Sequence, residues 1–153
     1  MTRVDHHAPP NPTPGPDSGV LARHLLAEYY GCDVDLLDSV EGLKPLLVGA
    51  AEAARTTVLN VHLHKFQPQG VSGVVILAES HLAVHTWPEF GFASIELYVC
   101  GEDADPAAGH AYLEEHLRPS HTKIQTVSRG SMELVRRFPP PAPKPSLAEV
   151  AEN

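Results

Sequence analysis

Reactive side chains are concentrated in one short stretch of the sequence, residues 77–100. An acid and a serine stand side by side as Glu79 and Ser80, and two histidines follow as His81 and His85. Histidine titrates near neutral pH, so it can move protons to and from a serine hydroxyl. The stretch also alternates apolar and polar residues in the way that indicates β-strands. A strand built only for packing does not need so many reactive groups, so the pattern predicts a functional site around Ser80.

Three interpretations of these residues do not depend on any resemblance to a known protein. The serine can simply bond a backbone group at a strand end, and each histidine taken alone is more often an ordinary half-buried residue. A zinc site is the second interpretation, because His62 and His64 share a strand face, as do His81 and His85. However, no Cys or carboxylate stands at a familiar spacing to supply the third and fourth zinc ligands. The third is a Ser-His-acid hydrolase, but Ser80 has no strand-turn-helix elbow with small flanking residues.

A longer run of sequence around the serine resembles a known family. The similarity rests on the run "FQPQGVSGVVILAESHLAVHTWPEFGFASIELYVCG", on "HLLAEYYGC" before it, and on the "DP" that opens a later helix. These runs resemble the prokaryotic S-adenosylmethionine decarboxylase proenzymes over residues 20–130. The resemblance implies a pyruvoyl-dependent decarboxylase that converts S-adenosylmethionine to decarboxylated S-adenosylmethionine and CO₂. The decarboxylated product is the aminopropyl donor for spermidine synthesis.

The resemblance also implies that the chain cuts itself. In this family the serine hydroxyl attacks the preceding carbonyl, the amide becomes an ester, and β-elimination followed by hydrolysis leaves a pyruvoyl group. The cut is expected between Glu79 and Ser80, which gives a β chain of residues 1–79 and an α chain of residues 80–153. His85 is the expected proton acceptor in processing. The ketone derived from Ser80 forms a Schiff base with the substrate, so neither pyridoxal phosphate nor a metal is required.

Further roles follow from the same resemblance. Ser72 is expected to assist processing, and Cys100 to donate the proton to the substrate during turnover. Phe66 and Trp87 are expected to stack on adenine, and Glu89 to bind the ribose hydroxyls. These last three residues favour S-adenosylmethionine over arginine or ornithine, which related pyruvoyl enzymes decarboxylate on the same fold. A non-catalytic regulatory homologue is the remaining alternative.

The order of elements predicts an α+β fold, a two-layer sandwich of a mostly antiparallel sheet with helices on one face. Helices are predicted at Ser39–Arg55 and, after the N-cap Asp105, up to Leu117. Strands are predicted at Val20–Tyr30, Thr56–Phe66, Val71–Ala78, Phe92–Val99, His121–Ser128 and Met132–Phe138.

The alternation within the strand that ends near Cys100 predicts which face holds the site. Ala93, Ile95, Leu97 and Val99 share one face and are expected to contact the helices. Cys100 then lies on the other face, together with aromatic and polar residues. Such a face needs a cover, so we expect at least a homodimer in which two sheets pack face to face near the site.

Composition limits the class of protein. The 153 residues carry a formal charge of −8, which argues against a nucleic-acid partner. No apolar run reaches the ~18–20 residues that span a membrane, and none is of signal-peptide type, so a cytoplasmic protein is expected. The decarboxylase domain is expected at residues 18–138, between a disordered Pro-rich extension, residues 1–17, and a Pro-rich tail, residues 139–153. No role follows from sequence for four further residues: Glu28, Cys32, His62 and His64.

Overall fold

Six antiparallel strands form one sheet, and helices cover one of its faces. The computed structural model describes residues 19–141, so the expectations for residues 1–17 and for the tail beyond residue 141 lie outside the described residues. The strands are β1 (Val20–Tyr30), β2 (Val58–Lys65), β3 (Val71–Leu77), β4 (Ser80–Trp87), β5 (Phe92–Cys100) and β6 (His121–Ser131). Their order in the sheet is β2-β3-β4-β5-β1-β6. The fold is therefore the predicted α+β sandwich.

Two long helices form the second layer, α2 (Val40–Ala53) and α3 (Pro106–Leu117). Each begins where the sequence predicts, because a side chain caps it: the Ser39 hydroxyl accepts from the N–H of Gly42, and the Asp105 carboxylate from the N–H of Ala108. Pro45 lies within α2 and does not end it. Within residues 19–141, no helix has the length and apolar character that crossing a membrane requires.

The core lies between this helical layer and the sheet. Ala93, Ile95, Leu97 and Val99 on β5 are at most 2% exposed, as their alternation predicts. They belong, with residues of α2 and α3 such as Leu47, to the apolar core that stabilises the sandwich. The intervening residues of β5 point to the sheet face opposite the helices, which we call the open face.

Three features of the fold differ from the sequence prediction. Met132–Arg137 forms a helix, α4, and not the predicted strand, because the Ser131 hydroxyl caps its first turn and basic residues end it. A short helix, α1 (Val34–Leu37), was not predicted, although Asp33 caps it. Ser80–Trp87 forms a strand, β4, that is absent from the predicted strands, and a 3₁₀ turn over Pro88–Phe90 separates it from β5.

Candidate active site

The bond between Glu79 and Ser80 lies at a tight hairpin turn. Ala78 and Glu79 connect β3 to β4, and Leu77 pairs with Ser80 across the turn. The φ angle of Ser80 is 142°, in a region that residues with a side chain rarely adopt. Such a conformation costs about 1–3 kcal/mol and persists only where the surrounding structure imposes it. The strained residue is the one whose hydroxyl is expected to attack the preceding carbonyl.

The carbonyl group of Glu79 is held by the end of β5. Its oxygen accepts a hydrogen bond from the backbone N–H of Cys100 at 2.9 Å. A donor in this position stabilises the negative charge that forms on the oxygen when a nucleophile adds to the carbon. The side chain of Glu79 is fixed as well, because its carboxylate accepts from the backbone N–H of Thr57 at 2.8 Å. The turn therefore presents a carbonyl that is oriented and polarised.

The hydroxyl of Ser80 contacts a histidine, but not the one that the resemblance assigns. Its oxygen lies 3.1 Å from Nδ1 of His81. Neighbouring residues on a regular strand point to opposite faces, so a contact between Ser80 and His81 is unusual. It accompanies the unusual φ of Ser80. The ring of His81 stacks on that of Tyr98, with 5.6 Å between the ring centroids. Beside it lie Glu96 and His24, which the sequence alone does not single out.

Cys100 is a free, half-buried thiol. Burial raises the pKa of this thiol, so its proton remains on sulfur at neutral pH. The backbone of the same residue holds the carbonyl of Glu79. A pyruvoyl group formed at residue 80 needs a serine hydroxyl, a polarised preceding carbonyl and a proton donor, and the residues of this turn fit that requirement.

His85 does not reach Ser80 within the chain. The two residues are five positions apart on β4, and a strand rises about 3.3 Å per residue, which separates them by about 16 Å. Ser72 lies directly across from His85 on β3, so it is equally distant from the turn. Its hydroxyl donates to the carbonyl of Val84 at 3.3 Å. Residues expected to act together are therefore at opposite ends of one hairpin.

The residues expected to bind substrate lie at the end where His85 is. The ring centroid of His85 is 5.9 Å from that of Phe66 and 4.0 Å from that of Trp87. Glu89 follows in the 3₁₀ turn, where its carboxylate accepts from the side-chain amide of Gln69 at 3.2 Å. The site residues thus form two groups. The processing end contains Glu79, Ser80 and Cys100, and the binding end contains Phe66, Ser72, His85, Trp87 and Glu89.

The residues without a sequence-based role have ordinary surroundings. The ring of His64 contacts that of Phe66 edge-on, and His62 is exposed on β2. Among residues 19–141, no three His, Cys, Asp or Glu side chains are grouped in a way that could hold a metal ion. Glu28 accepts from the hydroxyl of Tyr30, which lowers the pKa of the carboxyl. Cys32 is part of the core.

Most of the chain is similar in sequence to proteins of one family. Residues 23–130 match the model of a family described as S-adenosylmethionine decarboxylase. The S-adenosylmethionine decarboxylase proenzyme of Caldicellulosiruptor saccharolyticus is 46% identical over 113 residues, 74% of this chain and 91% of that protein. That of Thermosipho africanus is 42% identical over 115 residues, 75% and 88% of the two chains.

A solved structure extends the similarity from sequence to fold. The crystal structure of the adenosylmethionine decarboxylase from Aquifex aeolicus VF5 superposes with a TM-score of 0.69 and 40% sequence identity. The match covers 74% of this chain and 93% of that one. Sequence and fold therefore agree, and the chain belongs to the S-adenosylmethionine decarboxylase family.

Proposed function

We propose that the protein is a self-processing, pyruvoyl-dependent decarboxylase that converts S-adenosylmethionine to its decarboxylated form and CO₂. One observation carries this proposal. The carbonyl preceding a strained serine is held by the backbone of the one cysteine that the family resemblance assigns to turnover. Neither an arginine or ornithine decarboxylase nor a regulatory homologue is favoured by the relatives, and the residues Ser80, His85 and Cys100 are all present.

The chain's own residues account for maturation. Ser80 supplies the attacking oxygen, and the N–H of Cys100 stabilises the charge on the Glu79 oxygen while the amide is exchanged for an ester. His85 then removes the α proton of Ser80, which eliminates the ester and separates the chain into residues 1–79 and 80–153. Ser72, next to His85, assists this step. Maturation needs no metal and no pyridoxal phosphate.

Turnover uses both groups of site residues. The pyruvoyl group at residue 80 supplies an electron sink for the bond that loses CO₂. Phe66 and Trp87 hold the flat adenine, and Glu89 accepts from the ribose hydroxyls. Cys100 delivers a proton to the substrate carbon, a role that suits a thiol whose raised pKa keeps it protonated. Its reduced state suits a cytoplasmic enzyme.

The two groups require a second copy of the chain. The processing end and the binding end lie at opposite ends of the hairpin, too far apart to act on one substrate. In a twofold dimer whose axis lies between the two sheets and runs across the strands, the strands of the second sheet run in the reverse direction over the first. With the open faces packed together, the binding end of one copy lies over the processing end of the other. Each site then contains Ser80 and Cys100 of one chain and His85 of its partner.

The open face has the chemistry of such an interface. Phe66 and Ile76 are each 40% exposed on it, and Tyr30 is 39% exposed. Aromatic rings continue across the face, since the ring of Trp87 contacts that of Phe92, and the latter contacts Tyr30. Aromatic residues are enriched in protein interfaces, whereas a solvated face rarely contains so many. A second sheet would bury these rings.

The test of the proposed function has a chemical and an enzymatic part. Intact mass spectrometry of the purified protein should show two fragments that meet between Glu79 and Ser80, and the fragment of residues 80–153 should lack a free amine at residue 80. The variant Ser80→Ala should remain one chain without activity. Release of CO₂ should be measured separately from S-adenosylmethionine, arginine and ornithine, and only the first should react. Cleavage of Ser80→Ala, or preference for an amino acid, contradicts the proposal.

A further inference from the structure

We propose that His81, and not His85, is the base that takes the proton from the Ser80 hydroxyl in the first step of processing, and that Glu96 and His24 position it. This inference rests on the proposed function, because it assigns one step of the same self-cleavage. The two histidines then have different tasks. His81 serves the exchange of amide for ester, and His85 serves the elimination that follows.

The contact between Ser80 and His81 requires a particular tautomer. The serine oxygen lies 3.1 Å from Nδ1, and a base must present a lone pair there. The other ring nitrogen, Nε2, lies 3.7 Å from the Oε1 atom of Glu96. A carboxylate favours a proton on the nitrogen that faces it, so Glu96 favours the tautomer in which Nδ1 is free to accept. Ring stacking on Tyr98, at an interplanar angle of 7°, holds the imidazole in this orientation.

The opposite side of Glu96 is also fixed. Its Oε2 atom lies 3.1 Å from Nε2 of His24, and Nδ1 of His24 lies 3.2 Å from a guanidinium nitrogen of Arg129. Because a guanidinium can only donate, Nδ1 of His24 must accept, and the proton of a neutral His24 must be on Nε2. His24 therefore donates to Glu96 and orients its carboxylate. Arg129 is itself held over the ring of Tyr98, 5.5 Å from its centroid.

These contacts define a complete step. The Ser80 oxygen forms a bond to the carbonyl carbon of Glu79 while its proton moves to Nδ1 of His81. The Glu79 oxygen takes the negative charge and is stabilised by the N–H of Cys100. The charge then returns to form the carbonyl, the bond from carbon to the Ser80 nitrogen breaks, and His81 returns the proton to that nitrogen. The product is an ester between Glu79 and Ser80 with a free amine, and no other reactant is consumed.

An ester can be measured separately from complete cleavage. Hydroxylamine attacks an ester but not an amide, so it should cut the ester form into a hydroxamate of residues 1–79 and a fragment that begins with an intact Ser80. In the variant His85→Ala, elimination is blocked and the ester should accumulate. Adding His81→Ala to this variant should slow the appearance of the ester at least about a hundredfold, the lower end of the usual general-base effect.

Matched variants separate chemistry from folding. His81→Asn keeps an amide near the position of Nδ1 but cannot take a proton, so it should be as slow as His81→Ala. Added imidazole should restore ester formation in His81→Ala, which a folding defect would not allow. Glu96→Gln should slow ester formation about tenfold and leave the rate of elimination unchanged, as expected for a positioning residue. His116→Ala, on the exposed side of α3, is the control histidine and should process like the parent.

The outcomes distinguish this inference from the function on which it rests. If both His81 variants form the ester as fast as the parent, His81 is not the base, although self-cleavage at Ser80 stands. If the unaltered protein never cleaves, or if Ser80→Ala cleaves, the proposed function itself is wrong. Failure of His85→Ala to accumulate ester, while His81→Ala does accumulate it, would reverse the two assignments.

Discussion

The backbone N–H of Cys100 donates a hydrogen bond to the carbonyl oxygen of Glu79, at 2.9 Å. The last residue of β5 thus touches the bond that is expected to be cut, and its side chain is the expected proton donor in turnover. The two contributions come from different parts of one residue. Substitution of the side chain leaves the backbone donor in place, so the two roles can be separated by experiment.

Cys100→Ser should still cleave between Glu79 and Ser80 but should decarboxylate S-adenosylmethionine at least about a hundredfold more slowly, because a hydroxyl is a far weaker acid than a thiol. Fragment masses measure the first property, and release of CO₂ measures the second. In addition, some turnovers should convert the pyruvoyl end of the α chain to alanine, since the proton then reaches the wrong carbon. Turnover at the parent rate, without such an alanine, would mean that Cys100 is only a packing residue.

Two inactive variants should complement each other if a second copy completes the site. Neither Ser80→Ala nor His85→Ala should be cleaved alone. When they are co-expressed with different tags, the His85→Ala chain should be cleaved, because its intact Ser80 receives His85 from the partner. The double variant Ser80→Ala, His85→Ala is the matched control partner and should not restore cleavage. Sedimentation of an active monomer at high concentration would contradict the dimer.

Loss of the residues expected to bind the nucleoside should affect substrate binding and not maturation. We expect Trp87→Ala to raise the KM for S-adenosylmethionine roughly 5- to 150-fold, since stacking of a base on an aromatic ring is worth about 1–3 kcal/mol. Glu89→Gln should also raise it, through the ribose hydroxyls. Phe90→Ala, in the same turn and 74% exposed, is the control and should leave the KM unchanged. An unchanged KM in both test variants would remove these residues from the binding site.

The buried thiol of Cys32 should make stability depend on pH. Burial raises its pKa to about 11 in the folded chain, so the unfolded chain loses this proton at a lower pH. The contribution of Cys32 to the stability of the fold is therefore complete below the pKa of a free cysteine. It is lost as the pH rises through the pKa of the thiol in the folded chain. The free energy of unfolding should fall by about 2–3 kcal/mol between pH ~8.5 and ~11. The free energy of unfolding of Cys32→Ala, measured with urea, should lack this part of the decrease with pH. If it falls with pH as much as that of the parent, the assignment is wrong.

Local patterns were sufficient for most of the fold. The alternation from Ala93 to Val99 places the core face of β5 correctly, and Asp105 marks the start of α3, because both signals act between neighbouring residues. The prediction of a strand at Met132–Phe138 is wrong, since the apolar residues of this short segment do not alternate regularly and a serine cap favours a helix.

The site itself depends on spatial relationships that the sequence does not contain. Ser80 and His85 are close in sequence, but an extended strand holds them apart, so closeness in sequence is misleading here. Glu96 is remote from His81 in sequence, and the register between β4 and β5 brings the two strands together. Register is set by the whole sheet and by its core face, which is why a motif around the serine could not indicate this pair.

The order of strands also has a consequence for the protein after the proposed cut between Glu79 and Ser80. β1 is paired with β5 on one side and β6 on the other, although it belongs to residues 1–79 and they belong to residues 80–153. Before the cut, refolding is a unimolecular reaction of one chain. After it, two polypeptides must find each other, so refolding becomes bimolecular and its yield falls on dilution. The interleaved sheet therefore keeps the two pieces together while it is folded, but the ability to regain the fold efficiently is lost with the peptide bond.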